Sequence, residues 1–398
     1  MSISIVDRLF AISLVNMSSK PYEVIVVGGG PIGSVLSRRL AQHGLRVLLV
    51  ERRSSFNSPF RCAGLISPRC LKLSGLGKEV VLREIRGGYI YAPNGYSIQV
   101  ESNTPKLYVI DRPRFDKLLI ERAADTGVDV WLGCKVVRLE NNKVWVERHG
   151  SYTTVTGRLI VGADGANSKV ARWAGFPPIH NVLIGLQTVV PYRPKREDFV
   201  EIFLGRSIAP NFFAWIVPAE EGLARVGLAT DRIGAGYHYF MNFMKTRNLQ
   251  PQNIRSGLIP IETRHRFVQG NVLLIGDAAG QVKPTSGGGI YPGLIATKLA
   301  TKVIVRYISE RLSERYLTTY EKWWRSTIGS ELKKGSLLRK VLNLFDDNIL
   351  NHIFKMLDHP HILRLIADYG DVDYPSRVVR KLLQHPAVWL QSLPFRGN

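Results

Sequence analysis

The chain has 398 residues, 45% of them hydrophobic and 22% charged, which suits a globular protein of two or three structural units. Three cysteines cannot build a disulfide framework and lack the paired CxxC spacing of a structural zinc site, so no metal is expected. No apolar run is long enough for a spanning helix. The net charge of +22 describes either a solvated Arg-rich surface or one that meets an anionic partner. No finger, RNP or basic-helix motif accompanies it, so nucleic acid is not expected.

In chain order, residues 1–20 hold a short apolar stretch interrupted by Asp7 and Arg8, with no small-residue cleavage site after it. They read as an extension ahead of the first patterned strand rather than as a targeting segment, and a cytoplasmic protein is expected. The segment "YEVIVVGGGPIGSVLSRRLAQHGLRVLLVERR" follows. Val24 to Val27 make the continuous apolar run of a buried parallel strand. Gly28, Gly30 and Gly33 give GxGxxG, Pro31 to His43 read as a helix stopped by Gly44, and "LRVLLVE" is a second strand ending on Glu51. The spacing has mechanical reasons. Gly28 permits a tight turn, Gly30 lets backbone approach a pyrophosphate, Gly33 lets helix pack on strand, and Glu51 can bind ribose hydroxyls.

Two later segments share this style. "LIVGADGANSKVAR" is a strand running into Asp164 and Ser168. "NVLLIGDAAGQVKPTSGGGIYPGLIATKLA" is a strand ending at Gly276-Asp277, then a Gly-rich loop, then a helix starting near Gly288 to Ile290. Each Asp reads either as a strand-end cap or as a ligand for a ribityl hydroxyl. A helix start at Gly288, Gly289 and Ile290 aims backbone N–H groups at an anionic flavin edge. Together, "GGGPIG…E", "GADGANSKVAR" and "GDAAG…P…GGGI" resemble the FAD-dependent oxidoreductases of the p-hydroxybenzoate hydroxylase fold. The resemblance spans about residues 21 to 300 and implies bound FAD. The cofactor contacts it implies are Gly28, Gly30, Gly33, Glu51, Arg52, Cys62, Ala63, Arg112, Val136, Asp164, Asp277, Gly288, Gly289 and Ile290.

The stretch "SPFRCAGLISPRC" (58–70) holds two cysteines, and with "PNFFAWIVPAEEGLARVGLA" it is similar to the geranylgeranyl reductase family, in particular its archaeal branch. That family carries Arg-Cys here and later a P-x-x-Y-x-W-x-F-P run. Pro210, Phe213, Trp215 and Pro218 match this run in position, Phe213 standing for the Tyr and Val217 for the Phe. "CAGLIS" lacks the acidic residue that the family usually places before Gly. The resemblance implies a reductase of isoprenoid chains of ether lipids. Cys62 would be the catalytic thiol, and Phe213, Trp215 and Pro218 would bind substrate. The alternatives on the same fold are an aromatic hydroxylase and a prenyl-quinone or prenyl-diphosphate reductase. Cys62 by itself reads equally as a small buried hydrophobe, and Arg61 would favour its thiolate if it points inward. Cys70 is expected in the core. Phe203, Phe212, Phe213, Trp215 and Ile216 either line a hydrocarbon channel or form a core strand.

The expected architecture is α/β with two domains. A Rossmann-type FAD domain comprises 21–84, 108–180 and 264–320. An antiparallel-sheet substrate domain comprises 85–107 and 181–263, including a hairpin at 87–100 turned by Asn94-Gly95. A helical region covers 321–398, where "LLRKVLNLF" (337–345) either packs on the core or lies on a membrane surface. With no second GxGxxG unit, electrons are expected from NAD(P)H directly or from reduced ferredoxin.

Overall fold

Val24, Ile25 and Val26 are wholly buried because the strand Tyr22–Val27 has a parallel partner on each side, with 47–50 paired on one edge and 157–162 on the other. The computed structural model describes residues 21–56 and 62–384. Residues 1–20 and 385–398, and with them the N-terminal extension, lie outside the described residues, as does Arg61. The first sheet runs in the order 268–269, 272–274, 151–162, 22–27, 47–51, 129–132, and an antiparallel meander, 135–140 and 143–148, is added to the long strand Ser151–Gly162. Three helices, Pro31–Gln42, Arg112–Ala124 and Ile290–Ser309, pack side by side against it, with Pro31–Gln42 between the other two. Val136 lies in this core, on the meander strand Lys135–Glu140.

A second sheet of seven strands has the order 255–260, 182–191, 223–230, 213–218, 199–204, 87–91, 97–101. Its pairs are antiparallel except 87–91 with 199–204. The hairpin 87–101 turns through a five-residue connection, and Gly95 takes its left-handed position at φ 87°. Strand alternation divides the sheet's residues between two faces. Leu186, Phe203, Ala214, Ile216, Val226 and Leu228 pack under the helix Gly236–Thr246 through Phe240, Phe243 and Met244. Val200, Ile202, Trp215 and Val217 pack on the other side against Ala63, Leu65, Leu107 and Val109. Leu65, Leu107 and Val109 belong to a small three-stranded sheet, 65–66, 107–110 and 81–85, between the two large ones.

Past the long helix Ile290–Ser309 the chain is helical: Thr318–Trp324, Ser330–Leu342, Asp347–Leu357, Pro360–Tyr369 and Ser376–Gln384. Its loop at Asp371–Tyr374 returns to the first domain. Asp373 is buried, accepts from Lys283 Nζ at 2.9 Å and from the Ser67 hydroxyl, and so ties the tail to both the Gly-rich loop and the segment after Cys62. No helix among the described residues is long and apolar enough to cross a membrane, and no cluster of three or more His, Cys, Asp or Glu there could hold a metal ion.

Candidate active site

The GxGxxG turn is built by close approach. A side chain at Gly33 would collide with the Gly28 carbonyl oxygen, and one at Gly28 with the Ala163 backbone of the neighbouring strand. Gly30 is different: nothing lies within 4 Å of where its Cβ would be, so backbone here is open to a ligand. Glu51 is buried. Its Oε2 accepts the Gly29 N–H at 2.7 Å, and its Oε1 accepts Arg53 N–H and Nε at 2.8 and 3.0 Å. Arg53 Nη2 reaches Oε2 only at 3.4 Å, and this long contact is the one a ribose hydroxyl would share or displace. Arg52 is exposed, and it is Arg53 that turns inward, to Glu51, Asp116 and the Gly29 carbonyl. Sequence spacing cannot tell two adjacent arginines apart after a strand end.

Asp164 works as a cap. It accepts from Ser168 Oγ at 2.6 Å and from the Lys169 and Val170 N–H groups at 2.7 and 3.1 Å, at the start of the helix Lys169–Trp173. Burial pushes its carboxyl above the usual range, and these donors oppose that. Asp164→Ala is expected to cost about 1 kcal/mol in urea unfolding, the usual loss for a helix cap. Asp277 has no such occupation. Its side-chain oxygens meet no donor among the described residues, a Cβ on Gly289 would collide with its Oδ1, and burial raises its pKa to about 6 despite the attraction of Arg112. Beside it the helix Ile290–Ser309 starts at Gly289 without a side-chain cap, so its first N–H groups face the same place. Open backbone at Gly30, an unengaged carboxyl at Asp277 and a bare helix start at Gly289 fit FAD. They would meet its pyrophosphate, ribityl chain and flavin ring respectively.

The Cys62 loop is fastened to the second sheet from below. Gln187 Nε2 donates to the Cys62 carbonyl at 3.1 Å, and Arg225 donates to the Ala63 and Ile110 carbonyls at 2.8 and 3.0 Å. Gly64 has φ 74°, and a side chain there would strike the Arg225 guanidinium. The Cys62 Sγ accepts the Gly64 N–H at 3.3 Å and hydrogen-bonds Arg112. Arg112 starts its helix, is buried, and pairs with Asp116 at 3.1 Å. Burial pushes its pKa down, but the Asp116 carboxylate and Cys62 more than offset this and hold it above the ordinary value. Cys62 is half-buried, whereas Cys70 and Cys134 are buried in the core. Gln187 and Arg225 were not singled out from sequence. The available signal was a polar side chain at an odd position in otherwise apolar strands, "IGLQTVV" and "LARVGLA".

An apolar wall rises from the same face. The Trp215 indole lies against Gly227 and donates to Gln187 Oε1 at 3.3 Å. Phe213 meets Trp215 edge-on at 6.0 Å, and Phe212 stacks on Phe213 at 4.3 Å. Ile259 and Phe212 sit 3.3 and 3.6 Å from where a Cβ of Gly287 in the Gly-rich loop would be. The strand Phe213–Pro218 has two differently packed faces. Its odd positions Phe213, Trp215 and Val217 face the Cys62 side, while Ile216, with Phe203 of the neighbouring strand, belongs to the core beneath the helix Gly236–Thr246. Alternation puts Pro218, which ends the strand, on the Ile216 face.

Residues 21–219 match the FAD binding domain family. The chain is 31% identical to digeranylgeranylglycerophospholipid reductase 2 of Methanothermobacter thermautotrophicus over 91% of its own length and 100% of that protein. It belongs to the geranylgeranyl reductase family. A geranylgeranyl bacteriochlorophyll reductase-like protein of Thermoplasma acidophilum superposes with a TM-score of 0.79 at 25% identity, covering 92% of this chain and 99% of that one. A flavin-dependent brominase superposes with a TM-score of 0.68 at 16% identity, over 91% of this chain and 99% of the other, which shows the shared fold alone. In this geranylgeranyl reductase family member, Glu51, Asp277 and the Gly288–Ile290 turn are the residues that would hold FAD, and the Cys62 loop is anchored to the sheet face that carries the aromatic residues.

Proposed function

We propose that this protein saturates carbon–carbon double bonds in the geranylgeranyl chains of archaeal-type ether lipids, working peripherally at a membrane surface. The observation that supports this best is the single sheet face that carries both the anchors of the Cys62 loop, Gln187 and Arg225, and the aromatic wall of Phe212, Phe213 and Trp215. An isolated alkene is a poor hydride acceptor and has no polar handle. The protein must hold it by shape, exclude water and place a proton source opposite the hydride. FAD, when bound and reduced, supplies hydride to one alkene carbon. The wall orients the chain across the Gly-rich loop. Cys62 Sγ is placed to give a proton to the other carbon, and the guanidinium of Arg112 stabilises the sulfur that remains. Gln187 and Arg225 fix the position of that sulfur through its backbone. Electrons come from NAD(P)H in direct contact or from reduced ferredoxin, whose acidity would suit a chain of net charge +22.

Anaerobic incubation of reduced protein with a geranylgeranylated ether lipid is expected to add two hydrogens per double bond, read by mass spectrometry. No mass gain, or oxygen uptake coupled to a phenol, would instead favour an aromatic hydroxylase. Cys62→Ala with full flavin content is expected to lower turnover by about 10²–10⁴, the range for loss of a positioned proton donor. Unchanged turnover would return Cys62 to a packing role.

A further inference from the structure

The helix Ser330–Leu342 has two faces with opposite tasks. Inward, Leu332, Gly335 and Arg339 are buried. Gly335 lets the helix lie on the Gly-rich loop, where a Cβ would rest 3.5 Å from Thr285 and 3.6 Å from Pro284. Arg339 donates to the Asn211 carbonyl at 2.9 Å, and its guanidinium lies 5.1 Å from the centre of the Phe212 ring. The helix therefore borders the outer end of the aromatic wall.

Outward, at about 100° per residue, Leu337, Val341 and Leu344 fall in line opposite that buried stripe. They are 64%, 42% and 75% exposed. Lys333, Lys334 and Lys340 are exposed around them. The only acidic residue of this helix, Glu331, is buried and accepts from Ser376 N–H and Oγ. Leu344 is held in place. Arg206 donates to the Asn343 and Leu344 carbonyls at 3.0 and 3.4 Å, and the Arg206 N–H donates to Asp347 at 2.7 Å. Lys333, Lys334 and Lys340 flank Leu337 and Val341 on the helix, with Asp346 and Asp347 only past Leu344, so the helix side of the apolar face suits an apolar partner carrying anionic groups. A second copy of this chain would set lysine against lysine.

We propose that this face docks on an anionic lipid bilayer. Leu337, Val341 and Leu344 enter the acyl boundary, and the lysines reach phosphate headgroups with their stems along the apolar surface. The Phe212 end of the aromatic wall then lies beside the lipid surface, so a prenyl chain would pass from bilayer to wall without crossing water. The proposal rests on the reductase reading for the passage of substrate, though not for the docking itself.

The test is co-sedimentation of the FAD-loaded full chain with vesicles of phosphatidylcholine alone or mixed with phosphatidylglycerol. Wild type is expected to bind the anionic vesicles. The triple variants Leu337→Asn/Val341→Asn/Leu344→Asn and Lys333→Glu/Lys334→Glu/Lys340→Glu are each expected to bind at least about tenfold more weakly, at unchanged flavin content and melting temperature. Both should reduce detergent-dispersed prenyl lipid at the wild-type rate, and lose about tenfold on the same lipid embedded in vesicles. Vesicle binding by the variants equal to wild type overturns the docking face. So does a wild-type dimer that the leucine variant dissolves with no change in vesicle binding. A wild type that binds anionic vesicles but reduces no lipid in detergent overturns the reductase reading and leaves the docking face standing.

Discussion

Replacing Asp277 with Asn is expected to make the flavin-free protein more stable at pH 7 and to weaken FAD binding by at least about tenfold. The two effects have one cause. Asp277 is half-buried with no hydrogen-bond donor among the described residues, and loss of solvent around its carboxyl raises its pKa from 3.8 to about 6. A carboxyl with a raised folded pKa keeps its proton in the native state over a window in which the unfolded chain has already released it. Stability of the flavin-free protein therefore falls as pH climbs from about 4 to about 6, and the full penalty stands above that. The displacement corresponds to about 3 kcal/mol. Asn has the same shape and no charge, so most of this penalty disappears and the pH slope flattens. The same change removes the acceptor that a ribityl hydroxyl would use, which is worth about 1.5–3 kcal/mol for a charged group. Urea unfolding of the flavin-free variant between pH 4 and 8, with flavin titration at pH 7, reads both effects. A slope equal to wild type, or unchanged FAD affinity, would mean that the carboxyl is solvated and unused.

Gly33→Ala and Gly30→Ala are expected to fail in different ways although they lie three residues apart in one motif. At Gly33 the added methyl would overlap the Gly28 carbonyl oxygen, with Ala163 close behind. The helix Pro31–Gln42 would have to lift off the sheet, exposing part of the core formed by Val35, Leu36 and Leu40. Overpacking of this kind costs about 1–3 kcal/mol in cores, occasionally more. A backbone clash in the central strand–helix unit belongs at the upper end, so loss of soluble protein or of several degrees in melting temperature is expected. At Gly30 the methyl meets nothing within 4 Å. Flavin-free stability should rise slightly or stay level, since Gly→Ala at a tolerant position restricts the unfolded chain. FAD affinity should nonetheless fall if, as proposed, this space takes the pyrophosphate. Equal melting temperatures for the two variants would refute this division of tasks.

The sequence by itself determined the nucleotide-binding core. A buried parallel strand, a glycine turn, a helix and a strand ending in Glu51 can satisfy their backbone bonds and bury their apolar residues in few other ways. The same local logic exposed the Gly-rich loop before Ile290. The sequence also left real choices open, and these were decided by residues distant in the chain. Asp164 and Asp277 look alike on paper, each following a strand and preceding glycines. A helix start at Ser168 engages the first, while the second lies against Gly289 and meets no donor among the described residues. The run "FFAWIV" could be channel or core, and its two faces pack against different neighbours. Alternation is local, but which face meets the Cys62 loop and which meets the helix Gly236–Thr246 depends on how the sheet packs. Arg225 and Gln187 became site residues only because the strands 223–230 and 182–191 pass beneath a loop more than a hundred residues earlier. The double-faced helix Ser330–Leu342 follows the same rule. Its periodicity was readable, but only the seating of Gly335 and Arg339 against Pro284, Thr285 and Asn211 decided which stripe stays exposed. Local patterns specify elements because their physics is local. Burial, pairing and the emptiness of a site are properties of what comes to lie opposite, and only the tertiary structure supplies that.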